Sequence, residues 1–230
     1  MSTRQDYLTA LGLLVSGTLP LGEAEKIAAI NIAVYEHSKH RPRIVIEDES
    51  GAAAFDYAVT ALAAWVDGFS VIKSIEYPVD DTDEEADVLQ DDQWTLYKKP
   101  AGDFIRFLED KPAATESFRV TYTAPHSCTD SACTVKAADE FAVQMLAAAH
   151  FCDMLATFYA QTQDSNIQAD SVDHKSKGSE YASRAKTWRK KYFDHLGIAE
   201  GKTPAASVTL DGDLKGSWAG EKITHPKKYR

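Results

Sequence analysis

Residues 135–161, VKAADEFAVQMLAAAHFCDMLATFYAQ, decide the fold. Within them Ala138, Phe141, Met145, Ala148, Cys152, Leu155 and Tyr159 recur at alternating intervals of three and four. That spacing predicts one narrow apolar stripe along a helix of about 28 residues, roughly 42 Å long. Gln163-Asp164-Ser165-Asn166 breaks it, and a second amphipathic segment runs from Ser179 to Leu196, closed by Gly197. Residues 198–230 follow, rich in Gly, Pro, Ser, Thr and Lys and ending Pro226-Lys227-Lys228-Tyr229-Arg230. A helical hairpin with a long basic tail suits docking, and nothing in it carries a chemical motif.

Upstream, Arg43 to Ala124 reads as β-rich. Arg43-Ile44-Val45-Ile46-Glu47 is a short strand ended by Asp48-Glu49-Ser50-Gly51, and Val71, Ile72, Ile75 and Tyr77 mark another, closed by Pro78. Trp94-Thr95-Leu96-Tyr97, a turn at Pro100–Asp103 and Phe104–Leu108 make a hairpin. Phe118 to Thr123 alternates as a half-buried strand should. Residues 52–66 are ambiguous, with Ala favouring helix and Phe55–Val59 favouring strand. Before this block, two helices are expected. Tyr7, Leu8, Leu11, Leu14 and Val15 mark the first, and Ile27, Ile30, Ala33 and Val34 the second, which Arg41-Pro42 stops. The predicted class is α+β: a helical bundle from residues 1–42 and 125–197, a β-rich insertion at 43–124, and an extended arm at 198–230.

The apolar fraction of 44% supports a real core, and the longest apolar stretch, Ala52 to Val66, is too interrupted to span a membrane. The start of the chain, with Asp6 in a weakly apolar segment, predicts no signal peptide. Three widely split cysteines suggest a reducing compartment. A net charge of −10 argues against binding nucleic acid by phosphate neutralisation over the whole surface. Charge is unevenly placed: Asp80 to Asp92 holds eight carboxylates and no base, while Lys215 to Arg230 holds five bases against Glu221 alone. Both read as solvated segments or as faces for complementary partners, neighbouring copies included.

Chemistry is sparse. His126, Cys128, Cys133, His150 and Cys152 have zinc-ligand chemistry, but their spacing lacks the short gaps of zinc ribbons. The turn Thr129-Asp130-Ser131 leaves a disulfide or a shared ligand site between Cys128 and Cys133 open. There is no Gly-x-Ser-x-Gly and no glycine-rich phosphate cradle, so no catalytic residue and no cofactor is expected. Lys186, Arg189, Lys190 and Lys191 fall mostly opposite Tyr181, Ala185, Trp188, Tyr192 and Leu196, which reads as a solvated face behind a core stripe.

Several segments carry a resemblance. They are Trp65-Val66-Asp67-Gly68-Phe69-Ser70 running into Ile75-Glu76-Tyr77-Pro78, then Asp92-Gln93-Trp94-Thr95-Leu96-Tyr97. To these add the helix Ala147–Ala156, then Ile167-Gln168-Ala169-Asp170 and Tyr181–Lys186. Over residues 25–197 the chain resembles the head–tail connector adaptors of long-tailed (siphovirus-type) bacteriophages. The resemblance implies a structural virion protein at the head–tail junction, made in the host bacterial cytoplasm. It implies a ring, dodecameric to match the portal, that binds the portal protein after DNA packaging and carries a stopper or tail-terminator protein. Genomic DNA would pass through without specific binding, and no membrane is involved.

Phe141, Met145, Leu155, Tyr159 and Trp188 are then candidate ring-interface residues. The tail becomes a portal-binding arm, with Val208 and Leu210 able to add as a strand and Lys222, Lys227, Lys228, Tyr229 and Arg230 at its basic end. The alternative within the class is a neck stopper or tail terminator. From another class it is a zinc protein or enzyme around His126, Cys128 and Cys133.

Overall fold

A computed structural model of the chain describes residues 2–17, 19–79, 86–161 and 174–198. Among these residues the order is α1 (Arg4–Leu14), α2 (Glu23–His40), six strands, α3 (Ala137–Gln161) and α4 (His174–Leu196). The strands are β1 (Arg43–Ser50), β2 (Asp56–Ala58), β3 (Ile72–Glu76), β4 (Trp94–Lys99), β5 (Gly102–Phe107) and β6 (Ser117–Ala124). The architecture is α+β: four helices and two small antiparallel sheets.

Local chemistry sets the helix ends. Asp6 reaches back to the backbone N–H of Thr3 at 2.7 Å, satisfying a donor that the first turn of α1 leaves free. Glu25 does the same for Gly22 at 2.9 Å, opening α2. At the other end of α2 the Arg41 N–H closes on His37 O at 2.8 Å, and Pro42 prevents continuation. Gly197 takes φ +69°, the left-handed conformation that ends α4 cheaply.

Helix α3 is the axis of the bundle, packed by α1, α2 and α4. Here the structure corrects the narrow stripe. Ala142, Val143, Leu146, Ala147, Ala149 and Phe151 are buried along with Met145, Ala148, Cys152 and Leu155, whereas Phe141 is 60% exposed and Ala138 is also on the surface. Three neighbouring helices cover most of its circumference, and the small side chains Ala147–Ala149 let them approach. By length and composition α3 would also qualify as a membrane span, yet 56% of that apolar window is buried inside the protein. It is the core helix of the bundle.

The β-rich stretch builds a second core. In one sheet the order is β1-β6-β3, and in the other β2-β5-β4. Phe107 of β5 meets Phe118 of β6 edge-on with ring centroids 5.2 Å apart, and Tyr57 of β2 meets Phe118 at 4.7 Å. Ile75, Ile105, Val120 and Tyr122 complete this core, so the two sheets pack over shared side chains. The ambiguous stretch 52–66 resolves into β2 and one 3-10 turn, Val59–Ala61. The chain enters this unit at Arg43 and leaves at Ala124, which are register partners. Both crossings from the bundle therefore lie side by side, at Pro42 and Pro125.

Candidate functional site

The last turn of α2 and the first turn of α3 meet at a buried polar node. Asp139, 2% exposed, accepts from Arg41 Nη1 at 2.6 Å and from His195 Nε2 at 3.0 Å through Oδ1. His37, fully buried, places Nε2 3.8 Å from Asp139 Oδ2, too far for a hydrogen bond, and Nδ1 3.2 Å from the Tyr192 hydroxyl. The His126 ring lies 5.5 Å from that of His37. Its Nδ1 is 2.9 Å from Thr134 O and its Nε2 3.0 Å from Arg41 O, while its backbone N–H donates to Ser38 Oγ at 2.8 Å.

The electrostatics follow from the enclosure. Burial pushes His37 down to about 4, and the Asp139 carboxylate opposes this only in part. Burial lowers His126 too, although the Arg41 and Thr134 carbonyls favour its charged form. Burial pushes Asp139 up, but hydrogen bonds from His195 and Arg41 together outweigh it and hold the carboxyl below its ordinary range. The Asp139 bonds to Arg41 and His195, the His37–Tyr192 pair and the His126 bonds brace α2, α3, α4 and the 126–134 loop. Sequence reading passed over Asp139, because a carboxylate in a first turn reads as a complement to the helix dipole.

The zinc candidates separate. Both ring nitrogens of His126 face protein oxygens, so neither is free for a metal. His150 Nε2 pairs with Glu36 at 2.8 Å, and Cys152 is buried in the bundle core. Cys128 and Cys133 are opposite partners in a hairpin. Among the described residues no three His, Cys, Asp or Glu side chains converge as a metal site.

The predicted interface residues divide as well. Met145 and Leu155 are buried within the protomer, so the intrachain core already uses them and they are not available to a second copy. Tyr159 stacks parallel on Tyr181 at 5.6 Å and, like Trp188, packs against the bundle core. Phe141 alone of the five is open. The basic side chains of α4 lie where their spacing placed them: Lys186, Lys190 and Lys191 are exposed and Arg189 pairs with Asp153 at 2.6 Å. The arm residues Val208, Leu210, Lys222, Lys227, Lys228, Tyr229 and Arg230, the break at 163–166 and the acidic residues 80–85 lie outside the described residues.

An apolar surface that sequence reading had not singled out runs over the outer face of the β1-β6-β3 sheet. Ile44 and Ile46 point away from the core that Val45 joins, and are 51% and 61% exposed. Their register partners are Thr123 and Thr121, and Thr123 is bonded in turn to Val71, itself exposed. Thr123 and Val71 also line a cleft at the seam with the bundle, where Phe69 meets Tyr35 of α2 at 6.1 Å and Lys39 and Lys73 contribute. The run Ile44-Val45-Ile46 puts apolar side chains on both faces of β1, so the sequence alone does not say which face the core will take.

Comparison with known proteins finds no family model that matches the chain and no curated protein that matches it.

Proposed function

We propose that this chain is a structural protein of the phage neck, an adaptor whose copies form a ring on the portal and join it to the next neck or tail component. The observation that carries the reading is the exposed pair Ile44 and Ile46 on one sheet face, with exposed Val71 lining a neighbouring cleft beside Lys39 and Lys73. Contiguous apolar surface framed by charge is what a protein–protein contact buries. The occupant is a neighbouring copy: Asp87, Asp91 and Asp92 are exposed elsewhere on the β unit, and their sign complements the two lysines. A contact between one patch of a protomer and a different patch of its neighbour is heterologous, the geometry that builds a ring when the rotation between copies closes. Phe141, exposed at the start of α3, offers a further contact.

The tail, residues 198–230, serves in this reading as the portal-binding arm.

Electron microscopy of the full chain mixed with the portal protein of the same virus tests the proposal. A symmetric collar on the exposed end of the portal, lost when residues 198–230 are deleted, is the expected result. A portal left bare by the full chain overturns the adaptor reading in favour of a stopper or tail terminator.

A further inference from the structure

The hairpin at residues 127–134 holds two thiols that the neck reading does not use. Its backbone bonds run from Thr129 N to Ala132 O and from Thr134 N to Ser127 O, both 2.9 Å. Cys128 and Cys133 sit opposite each other between those bonds, in the position where neither backbone donates to the other. Cys133 N instead donates to Ser2 O at 2.8 Å. Such a non-hydrogen-bonded antiparallel pair brings its Cα atoms to about 4.5 Å. That lies inside the span, roughly 4.4–6.8 Å, that a disulfide bridges without moving the backbone. Both thiols are free, buried and beside one another, with the Tyr7 hydroxyl next to Cys133.

We infer that Cys128 and Cys133 are a convertible dithiol–disulfide pair, oxidised within one chain by a small-molecule disulfide. Cys133 is the attacking member. The hydrogen bond from Cys128 favours the Cys133 thiolate over that of Cys128, against the opposing effect of burial. Its sulfur attacks one sulfur of glutathione disulfide and releases one glutathione thiolate. Cys128 then loses its proton and attacks the Cys133 sulfur, breaking the mixed disulfide and releasing the second glutathione. Two protein thiols are oxidised and one glutathione disulfide is reduced to two glutathiones.

Cys152 takes no part. It is buried in α3, where burial pushes its thiol up to about 11. The linkage stiffens the platform that holds the start of α1. Besides the Ser2 bond, Arg4 N donates to Thr129 O at 2.9 Å and the Arg4 guanidinium reaches Cys128 O at 3.1 Å. Residues 2–4 are thus bonded to the backbone of both cysteines, and their local opening admits the oxidant. The inference does not depend on the neck assignment.

The test equilibrates the full native chain across a series of reduced-to-oxidised glutathione ratios, followed by acid quench, alkylation and peptide mass mapping. Cys128 and Cys133 are expected to vanish together into one crosslinked peptide about 2 Da lighter than its dithiol form, with Cys152 still free. In Cys128→Ser the same series is expected to leave Cys133 as a stable glutathione adduct. The inference is overturned if the pair stays reduced throughout, if either cysteine links to Cys152, or if the 128–133 bond forms only in guanidinium. Should the variant fail to fold, the wild-type map alone decides.

Discussion

At the scale of single residues, Gly51 and His37 carry the sharpest consequences. Gly51 lies where β1 turns away, with its N–H bonded to Glu116 O at 2.8 Å and its Cα against the backbone of residue 113. A Cβ there would overlap the Ala113 carbonyl oxygen, which is backbone and cannot swing aside. Gly51→Ala should therefore cost about 1–3 kcal/mol in urea unfolding; an unchanged midpoint would contradict the close approach. His37 is held neutral by burial, facing Asp139 of α3, Tyr192 of α4, His126 of the connecting loop, and Arg41 and His40 at the end of its own helix. Its folded value, about 4, is below the unfolded value near 6.5. The unfolded chain binds the proton first, so the contribution is complete above about 6.5 and is lost as pH falls toward 4. His126, lowered for the same reason, adds in the same direction. In His37→Gln, stability measured by denaturant at each pH should fall less steeply between pH 6.5 and 4, by on the order of 3 kcal/mol in total. A slope equal to that of the wild type would show that His37 is not the group that titrates.

At the scale of elements, α3 separates what periodicity shows from what packing uses. Phe141 and Leu155 belong to the same stripe by spacing, yet one is 60% exposed and the other fully buried. Leu155→Ala should cost about 2–5 kcal/mol, because the bundle closes round it from several sides and the cavity cannot collapse. Phe141→Ser should change stability by about 0.5 kcal/mol or less. Equal losses in a pair of thermal melts would contradict the register of α3 in the bundle. Element positions themselves were legible. Breakers at Gly17, Pro42, Pro78 and Gly197, together with the hydrophobic period, located most ends, but β1 runs on through Asp48–Ser50, where pairing with β6 outweighs the turn residues, and α4 begins at His174 rather than Ser179. The 52–66 stretch was not legible, since its alanines carry no preference strong enough to override the pairing of Asp56–Ala58 with Phe104–Arg106 of β5.

For the whole molecule the two cores matter most. The bundle and the β unit each bury their own apolar set, and they meet beside the paired ends Arg43 and Ala124. What is left outside is the sheet face with Ile44 and Ile46. Replacing both by Asp should dissociate any oligomer of the purified chain, seen as a fall to the protomer mass by light scattering, while circular dichroism stays unchanged. Both side chains are half exposed, so the fold does not rely on them. An oligomer that survives the double substitution would move the interface elsewhere, with Phe141 the next position to change.

By itself the sequence determined the class, the order of the helices and of the main strands and most helix ends, because these depend on spacing, capping and chain stiffness within a few residues. Only the tertiary structure decided the strand order β1-β6-β3, which places the last strand between two earlier ones. Tertiary contacts likewise made α3 a helix buried on most sides. A stripe states which face is apolar but not how many neighbours will cover the rest. The Asp139 node depends on the fold for the same reason. Its partners Arg41 and His195 lie 98 and 56 residues away, and no local pattern distinguishes a carboxylate that will be enclosed from one that stays in water. The apolar face of β1 became a surface only when the other face of the strand was claimed by the core.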